Sequence, residues 1–357
     1  MNKDFRILVI NPLVDGTHIA LFENNHCLFE KLLPLENIII NTDLLSQVNN
    51  RKSIIVDTIL SIGIDIISVN AICGRGGLLQ PIEGGTYLIN QKMVDDLREE
   101  KNGKHVSNLG ALLANAIAED WNVDAYIVDP VVVDEMLDIA KKTGIPSIER
   151  KSIFHALNQK AVGRSLAASL NANYHDLCLV IAHMGGGLTV GAHQYGRVID
   201  VNNGFDGDGP PLSFERAGSL PNKDLIELCF NGCKSKEQLQ TETIYQSGIK
   251  AYLNIERRVE LDLLWRTKSD EVKKVFDIVG YQVAKEIGKM STVLSGNVNA
   301  IAITGDLATY DYLNQQIIQQ VSWIADTYVF PGENVMLALA QGTLRVLQGM
   351  EEVKFYE

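Results

Sequence analysis

The residues best equipped for chemistry fall in one stretch, LVIAHMGGGLTVGAHQYGRVIDVNNGFDGDG, running from Leu179 to Gly209. An apolar run, Leu179 to Ala182, stops at His183; three glycines, Gly185, Gly186 and Gly187, follow; a second apolar run, Leu188 to Ala192, returns. That pattern predicts strand, tight turn, strand. A glycine has no Cβ and tolerates positive φ, so an anion can come close to its backbone N–H. A third predicted strand, Arg197 to Val201, runs into Asn202, Asn203, Asp206 and Asp208. Glycines alone would read as an ordinary hairpin; a histidine before the turn and acids after it point to a site for a charged ligand.

Other chemistry-bearing residues also sit where apolar runs stop. Ile7 to Asn11 reads as a strand with a polar end, Pro12 to Gly16 as a turn, and Thr17 to Phe22 and Cys27 to Leu33 as two more strands. This unit echoes the one around His183, which predicts a duplicated domain with a ligand cleft between two similar lobes. Ile66 to Ala71, rich in β-branched residues, is a predicted buried strand leading to Arg75, which stands among Gly74, Gly76 and Gly77; a planar guanidinium there suits carboxylate or phosphate. Asp129 ends the predicted strand Asp124 to Val128; it reads either as a strand-end site carboxylate or as the cap of a helix from Val131 to Lys142. Arg216 is a second strategic cation, and Gly305-Asp306 ends the predicted strand Val298 to Ile303. Cations, an imidazole, a carboxylate and a glycine turn are what phosphoryl transfer requires. The transferred group spreads negative charge over its oxygens, and positioned donors and a metal near carboxylate or amide oxygens stabilise it.

The elements that must hold these residues alternate between strand and helix. Helices are predicted over Leu44 to Ile62, Leu109 to Trp121 (opened by His105 and Asn108), Lys151 to Leu170, Pro221 to Phe230, Asp270 to Leu294, Tyr312 to Ile324 and Asn334 to Gly349. Ile153, Leu157, Ala161 and Leu166 mark the expected apolar face of the third. Glu237 to Glu260 is poorly periodic and reads as a surface excursion, Gly209-Pro210-Pro211 as a rigid turn, and Tyr328 to Phe330 as a short strand. The expected fold is α/β: an N-terminal lobe over 1–147, to which 334–357 returns, and a C-terminal lobe over 148–333, each a mixed sheet flanked by helices.

With 357 residues the chain is long enough for two domains, and a formal net charge of −12 argues against nucleic acid as a partner. Five cysteines without metal-ligand spacing read as buried thiols in a reducing compartment. The most apolar window, Ser53 to Cys73, carries Asp57 and Asp65, and the amino-terminal apolar run is too short for a signal peptide. The expectation is a cytoplasmic protein without a membrane partner.

Four runs then resemble one family: AICGRGGLLQPIEGGTY (71–87), IVDPVVVDEM (127–136), IERKSIFHALNQKAVGRSLA (148–167) and HMGGGLTVGAHQYGRVIDVNNGFDGDGP (183–210). They are similar to the butyrate kinases, of the acetate kinase branch of the actin-like ATPase superfamily, from about residue 5 to the carboxyl end. The resemblance implies a duplicated actin-like ATPase (ribonuclease H-like) fold with a central cleft, and a homodimer or larger assembly of dimers. It implies ATP, Mg²⁺ and a short-chain carboxylate as ligands and acyl phosphate as product. By the same resemblance Arg75 and Arg216 grip the carboxylate and the migrating phosphoryl group, and His183 meets the transition state. Asp129 positions substrate or metal, and Asn11 lies near metal and phosphates. Gly76, Gly77, His105 and Asn108 are expected on the carboxylate side. Gly16, Thr17, Gly185, Gly186, Gly187, Gly305 and Asp306 are expected on the nucleotide side.

The chain departs from the family mainly at the nucleotide. The family's first loop reads Asn-Pro-Gly-Ser-Thr-Ser-Thr-Lys, where this chain has Asn11-Pro12-Leu13-Val14-Asp15-Gly16-Thr17-His18. Leu13 and Val14 remove a glycine and a hydroxyl, Asp15 adds a negative charge, and His18 is a weaker, pH-dependent substitute for lysine. The family's Gly-Gly pair is Gly305-Asp306, and Val335 stands where the family has a metal-tied glutamate. Two readings follow: a working carboxylate kinase with a rebuilt triphosphate grip, or an impaired relative serving as a ligand-binding or regulatory partner.

Overall fold

The structure is a computed structural model and describes residues 4–35, 43–205 and 211–357; Asp206, Asp208, Gly209 and Pro210 lie outside the described residues. The chain forms two compact units, one of Met1–Asp134 with Asn334–Glu357 and one of Glu135–Glu333.

The first unit is built on β1 (Arg6–Pro12), β2 (Gly16–Glu23) and β3 (His26–Pro34), an antiparallel meander. On the other side of β1 lie β4 (Ala71–Gly74) and β6 (Asp124–Val128), both parallel; β5 (Thr86–Leu88) and β12 (Lys354–Phe355) complete the order β12-β5-β6-β4-β1-β2-β3. Ile7, Leu8, Val9 and Ile10 are all fully buried, as a central strand covered on both faces requires. Leu8 and Ile10 join α1 (Leu44–Ser61), α2 (Gln91–Arg98) and α3 (Asn108–Trp121) in one core. The carboxyl-terminal helix α11 (Val335–Leu347) also lies against this sheet, contacting β1, β4 and β6.

The second unit repeats the plan. The meander is β7 (Cys178–Met184), β8 (Leu188–Gln194) and β9 (Arg197–Val201); β10 (Ala300–Gly305) and β11 (Thr327–Pro331) extend it in parallel to give β11-β10-β7-β8-β9. Alternation along β7 splits its side chains between two cores. Leu179 and Ile181 meet α4 (Ala156–Ser169), while Val180 and Ala182 meet α9 (Ser269–Val293) and α10 (Asp311–Val321). The shared meander-plus-parallel plan is the duplicated α/β architecture expected from the sequence. No helix among the described residues is long and apolar enough to cross a membrane.

Several local expectations need correction. Residues Ile66–Ser68 form a 3-10 turn rather than a strand, because the Asp65 side chain caps it by accepting from Ile67 N at 3.0 Å; the strand begins at Ala71. No helix spans Val131 to Lys142. Asp129 adopts φ +38 and spends Oδ1 on Gly85 N at 2.7 Å, so the chain turns away and forms only a 3-10 turn at Asp138–Lys141. The region read as an excursion is helical: beyond α5 (Asn222–Phe230), which matches the helix expected there, lie α6 (Lys236–Tyr245), α7 (Gly248–Leu253) and α8 (Arg258–Thr267). α6 buries no residue, which removes the apolar periodicity a sequence reading needs.

The helix before β7 starts at Ala156, later than expected, and buries Ala156, Gln159, Lys160, Gly163 and Leu166 rather than the Ile153–Leu157–Ala161 face. The reason is polar. Lys160 Nζ sits 2.9 Å from Glu135 Oε2 with both side chains almost wholly enclosed, and also donates to Gly196 O at 2.9 Å. Glu135 Oε2 in turn accepts from Val198 N at 2.7 Å. This pair ties Glu135 to the second unit, which begins there rather than at residue 148.

Removing one partner of such a pair strands a buried charge. Lys160→Met is expected to cost about 3–5 kcal/mol in urea unfolding, and adding Glu135→Gln should recover part of it. A single variant within about 1 kcal/mol of wild type would contradict this account of the helix.

Candidate active site

In the first unit the expected residues collect at the ends of β1, β4 and β6. Asn11 is the penultimate residue of β1, is 5 % exposed, and its Oδ1 accepts from Arg75 Nη1 at 3.4 Å. Arg75 follows β4, and its own N–H donates to Ile10 O at 3.0 Å. The helix α3 approaches this tip closely enough that a Cβ on Gly110 would stand 2.2 Å from Arg75 O. Asn108 is fully buried behind the loop: Oδ1 accepts from Leu78 N at 2.8 Å and Nδ2 donates to Gly103 O at 2.9 Å. A Cβ on Gly77 would meet that same Oδ1 at 2.6 Å, and one on Gly76 would meet Pro130. Asn108 and both glycines therefore shape the loop that presents Arg75.

His105 Nδ1 accepts from Ser107 N at 3.2 Å, which leaves its proton on Nε2. Burial, then the nearby Arg75 charge, push this imidazole below its usual range. Asp129 is buried at the end of β6, held at Gly85 by both its backbone N–H (3.0 Å) and its carboxylate (2.7 Å). The first loop lies between β1 and β2. Thr17 is buried with its hydroxyl accepting from Arg51 at 3.0 Å, Asp15 and Val14 are exposed, and His18 is paired with Glu30 at 2.9 Å.

The second unit gathers a denser cluster around the glycine turn. His183 is the penultimate residue of the wholly buried β7, and its Nδ1 lies 2.9 Å from Asn158 Oδ1. Glu333 Oε1 is 2.9 Å from Nε2, but off the line of a hydrogen bond, so the contact is one of charge and proximity. His155 stacks on the His183 ring with centroids 3.8 Å apart. His155, Asn158 and Gln159 occupy the N-cap and first turn of α4, spaced so that all three address β7 and β8. The run containing them is legible as a motif, but its histidine is hidden within what reads as an amphipathic helix.

Behind His155 a hydrogen-bonded chain enters the core. His155 Nδ1 meets Thr189 Oγ1 at 2.9 Å, and Gln159 Nε2 donates to Thr189 O and Oγ1. That fixes the amide, so Gln159 Oε1 accepts from His193 Nε2 at 2.9 Å and His193 Nδ1 accepts from Tyr174 Oη at 2.7 Å. Gly191 leaves the space for this, since a Cβ there would stand 2.4 Å from Gln159 Oε1.

Arg216 completes the cluster. Its Nη1 lies 2.8 Å from where a Cβ of Gly187 would be, beside His155 Cε1 at 3.3 Å from the same point. Ser213 positions it, donating through Oγ to Gly186 O at 2.7 Å and accepting from Arg216 N at 3.2 Å. Nε and Nη1 are buried without a hydrogen-bond partner, and Glu215 Oε1 comes no closer to Nη1 than 3.6 Å. Burial lowers the Arg216 pKa and raises that of Glu215. Gly185 N closes the turn on Gly187 O at 2.9 Å. Gly305, at φ +92, lies against the Met184 backbone, where a Cβ would approach to 2.5 Å; Asp306 is exposed, its carbonyl accepting from Arg258 Nη2 at 2.8 Å.

The acetokinase family profile matches residues 137–321, slightly more than half of the chain. The chain belongs to the acetokinase family. The crystal structure of Porphyromonas gingivalis acetate kinase superimposes with a TM-score of 0.76 at 14 % identity, over 96 % of this chain and 100 % of that one. A propionate kinase from Francisella tularensis subsp. tularensis SCHU S4 gives 0.72 at 16 % identity over 95 % and 98 %. Acetate kinase from Entamoeba histolytica gives 0.72 at 12 % identity over 95 % and 98 %. At such identities these likenesses establish the fold, while family membership supports carboxylate phosphorylation as the broad class of chemistry. The described residues contain no group of three His, Cys, Asp or Glu able to hold a metal alone. A Mg²⁺ carried in on phosphates needs only one or two protein oxygens, and Asn11 and Asp129 are buried residues whose side-chain oxygens could supply them.

His193 gives the cluster a pH signature. Burial first, then Lys160 and Arg164, hold it well below the usual imidazole range, so the folded state keeps it neutral. Its contribution is complete above the unfolded value of about 6.5 and is lost as pH falls below it, by up to about 1.4 kcal/mol per pH unit. The urea-unfolding free energy should drop more steeply between pH 7.5 and 5.5 in wild type than in His193→Gln. Equal slopes would contradict this assignment.

Proposed function

We propose that this chain is a short-chain carboxylate kinase that converts ATP and butyrate, or a branched analogue, to acyl phosphate and ADP. One carboxylate oxygen attacks the γ-phosphorus. The bond from that phosphorus to the oxygen shared with the β-phosphate breaks, and that oxygen leaves on ADP. A carboxylate is already a nucleophile, so no general base is needed and catalysis reduces to positioning and charge. Mg²⁺, when bound with the nucleotide, supplies further neutralisation of phosphate charge, with Asn11 and Asp129 as its protein oxygens.

The observation that carries this reading is the Arg216 guanidinium, held over Gly187 with two buried nitrogens lacking partners. An anion with several oxygens supplies what those nitrogens lack. His155 and His183 offer ring edges beside it, and the glycine turn adds room for the phosphoryl oxygens. Arg75, in the other unit, is the guanidinium assigned to the carboxylate by its likeness to the butyrate kinase motif. Butyrate rather than acetate as substrate rests on the same motif likeness.

The reading is tested by an acyl-hydroxamate assay with ATP, Mg²⁺ and linear and branched carboxylates. Wild type should give most product with butyrate or its branched analogues, and a folded Arg216→Lys variant should lose about 100- to 1,000-fold in kcat/KM. If no carboxylate gives product and ATP with Mg²⁺ produces no thermal shift, the kinase reading is wrong and a non-catalytic relative is the better description.

A further inference from the structure

The first loop lacks a cation of its own, yet a buried one stands directly beneath it. Arg51, on α1, is 1 % exposed and belongs to the same compact unit as the loop. Its Nη1 donates to Leu13 O at 3.1 Å, Gly16 O at 2.6 Å and Thr17 Oγ1 at 3.0 Å, while Nη2 reaches Gln47 Oε1 at 3.4 Å. Every hydrogen bond of Nη1 is thus with the turn that joins β1 to β2 or with the first two residues of β2. Burial brings the Arg51 pKa down to about 10, against an opposing pull from Asp15, so the group is a cation at neutral pH.

We infer that Arg51 is the positioning residue of this loop, and that it supplies from inside the unit the positive charge the loop's own sequence lacks; the inference rests on the kinase reading above for the identity of the bound anion, the triphosphate of ATP. The peptide group is planar and trans, so a carbonyl pointing one way sends the next N–H the other. Leu13 C=O faces Arg51, and Asp15 C=O faces Leu35 N at 2.9 Å. The N–H groups of Val14 and Gly16 therefore point away from Arg51 and β3, as donors to an anion must. The exposed Asp15 carboxylate, an obstacle to a phosphate by itself, is offset by the same guanidinium. The family's serine at position 16 would not fit this arrangement, because a Cβ there would lie 2.8 Å from Leu33 O.

Three variants test the inference: Arg51→Lys keeps charge and stem, Arg51→Gln removes the charge, and Thr17→Val removes one acceptor. In Arg51→Lys, calorimetric titration with an unhydrolysable ATP analogue and Mg²⁺ should show affinity weakened about 10-fold, with carboxylate KM within two-fold of wild type. Hydrogen exchange of residues 12–18, followed without nucleotide, should quicken in the same variant. Arg51→Gln should be weaker still; should it not fold, the Lys and Thr17→Val proteins decide. A folded Arg51→Lys with unchanged loop exchange, or with ATP affinity and carboxylate KM shifted alike, overturns the inference. Faster loop exchange in a variant of a wild-type protein that binds no ATP would instead overturn the kinase reading and leave the role of Arg51 in holding the loop.

Discussion

Arg216 is a charge withdrawn from water and denied a full set of acceptors. Glu215 offers it electrostatic company at 3.6 Å without a hydrogen bond, and two of its nitrogens are buried and unsatisfied. Leaving such donors unpaired is costly, and folded proteins do so where a ligand completes them. The surrounding architecture keeps the group in that condition. Ser213 fixes its backbone to the glycine turn, Gly187 leaves its path clear, and β7 and β8 set the turn itself.

A second constraint is how deep the support for this turn reaches. His155 and His183 are stacked, and each is held at Nδ1, by Thr189 and Asn158 respectively. From Thr189 the chain of bonds continues through Gln159 and His193 to Tyr174. The polar side chains on the first turns of α4 are therefore interior parts of the unit, and the Lys160–Glu135 pair anchors the same helix. Rigidity at two rings is obtained by filling a core with hydrogen bonds, which demands that each one be satisfied.

Much of the framework was legible because it follows simple alternation. The two meanders, the glycine turn after His183, and the strand ends at Asn11 and Asp129 follow from apolar runs broken by polar or glycine residues. What escaped the sequence has physical reasons. The Val131 to Lys142 helix fails because Asp129 takes positive φ and turns the chain at Gly85, a long-range contact no local pattern encodes. Gln159 and Lys160 look like solvent-facing residues, and only their distant partners explain their burial. His155 and Arg51 were missed for the same reason: each sits in a helical segment whose periodicity says nothing of the turn it addresses.

The most direct test observes the Arg216 side chain itself. Its Nε–H resonance, assigned by comparison with Arg216→Lys in proton–nitrogen correlation spectra, reports whether that nitrogen gains an acceptor. On adding Mg²⁺, ADP and an acyl phosphate analogue, the account predicts a downfield proton shift and slowed exchange with water. A resonance that stays in place while ligand binding is confirmed by other signals would contradict the role of this guanidinium as a donor to the phosphoryl oxygens.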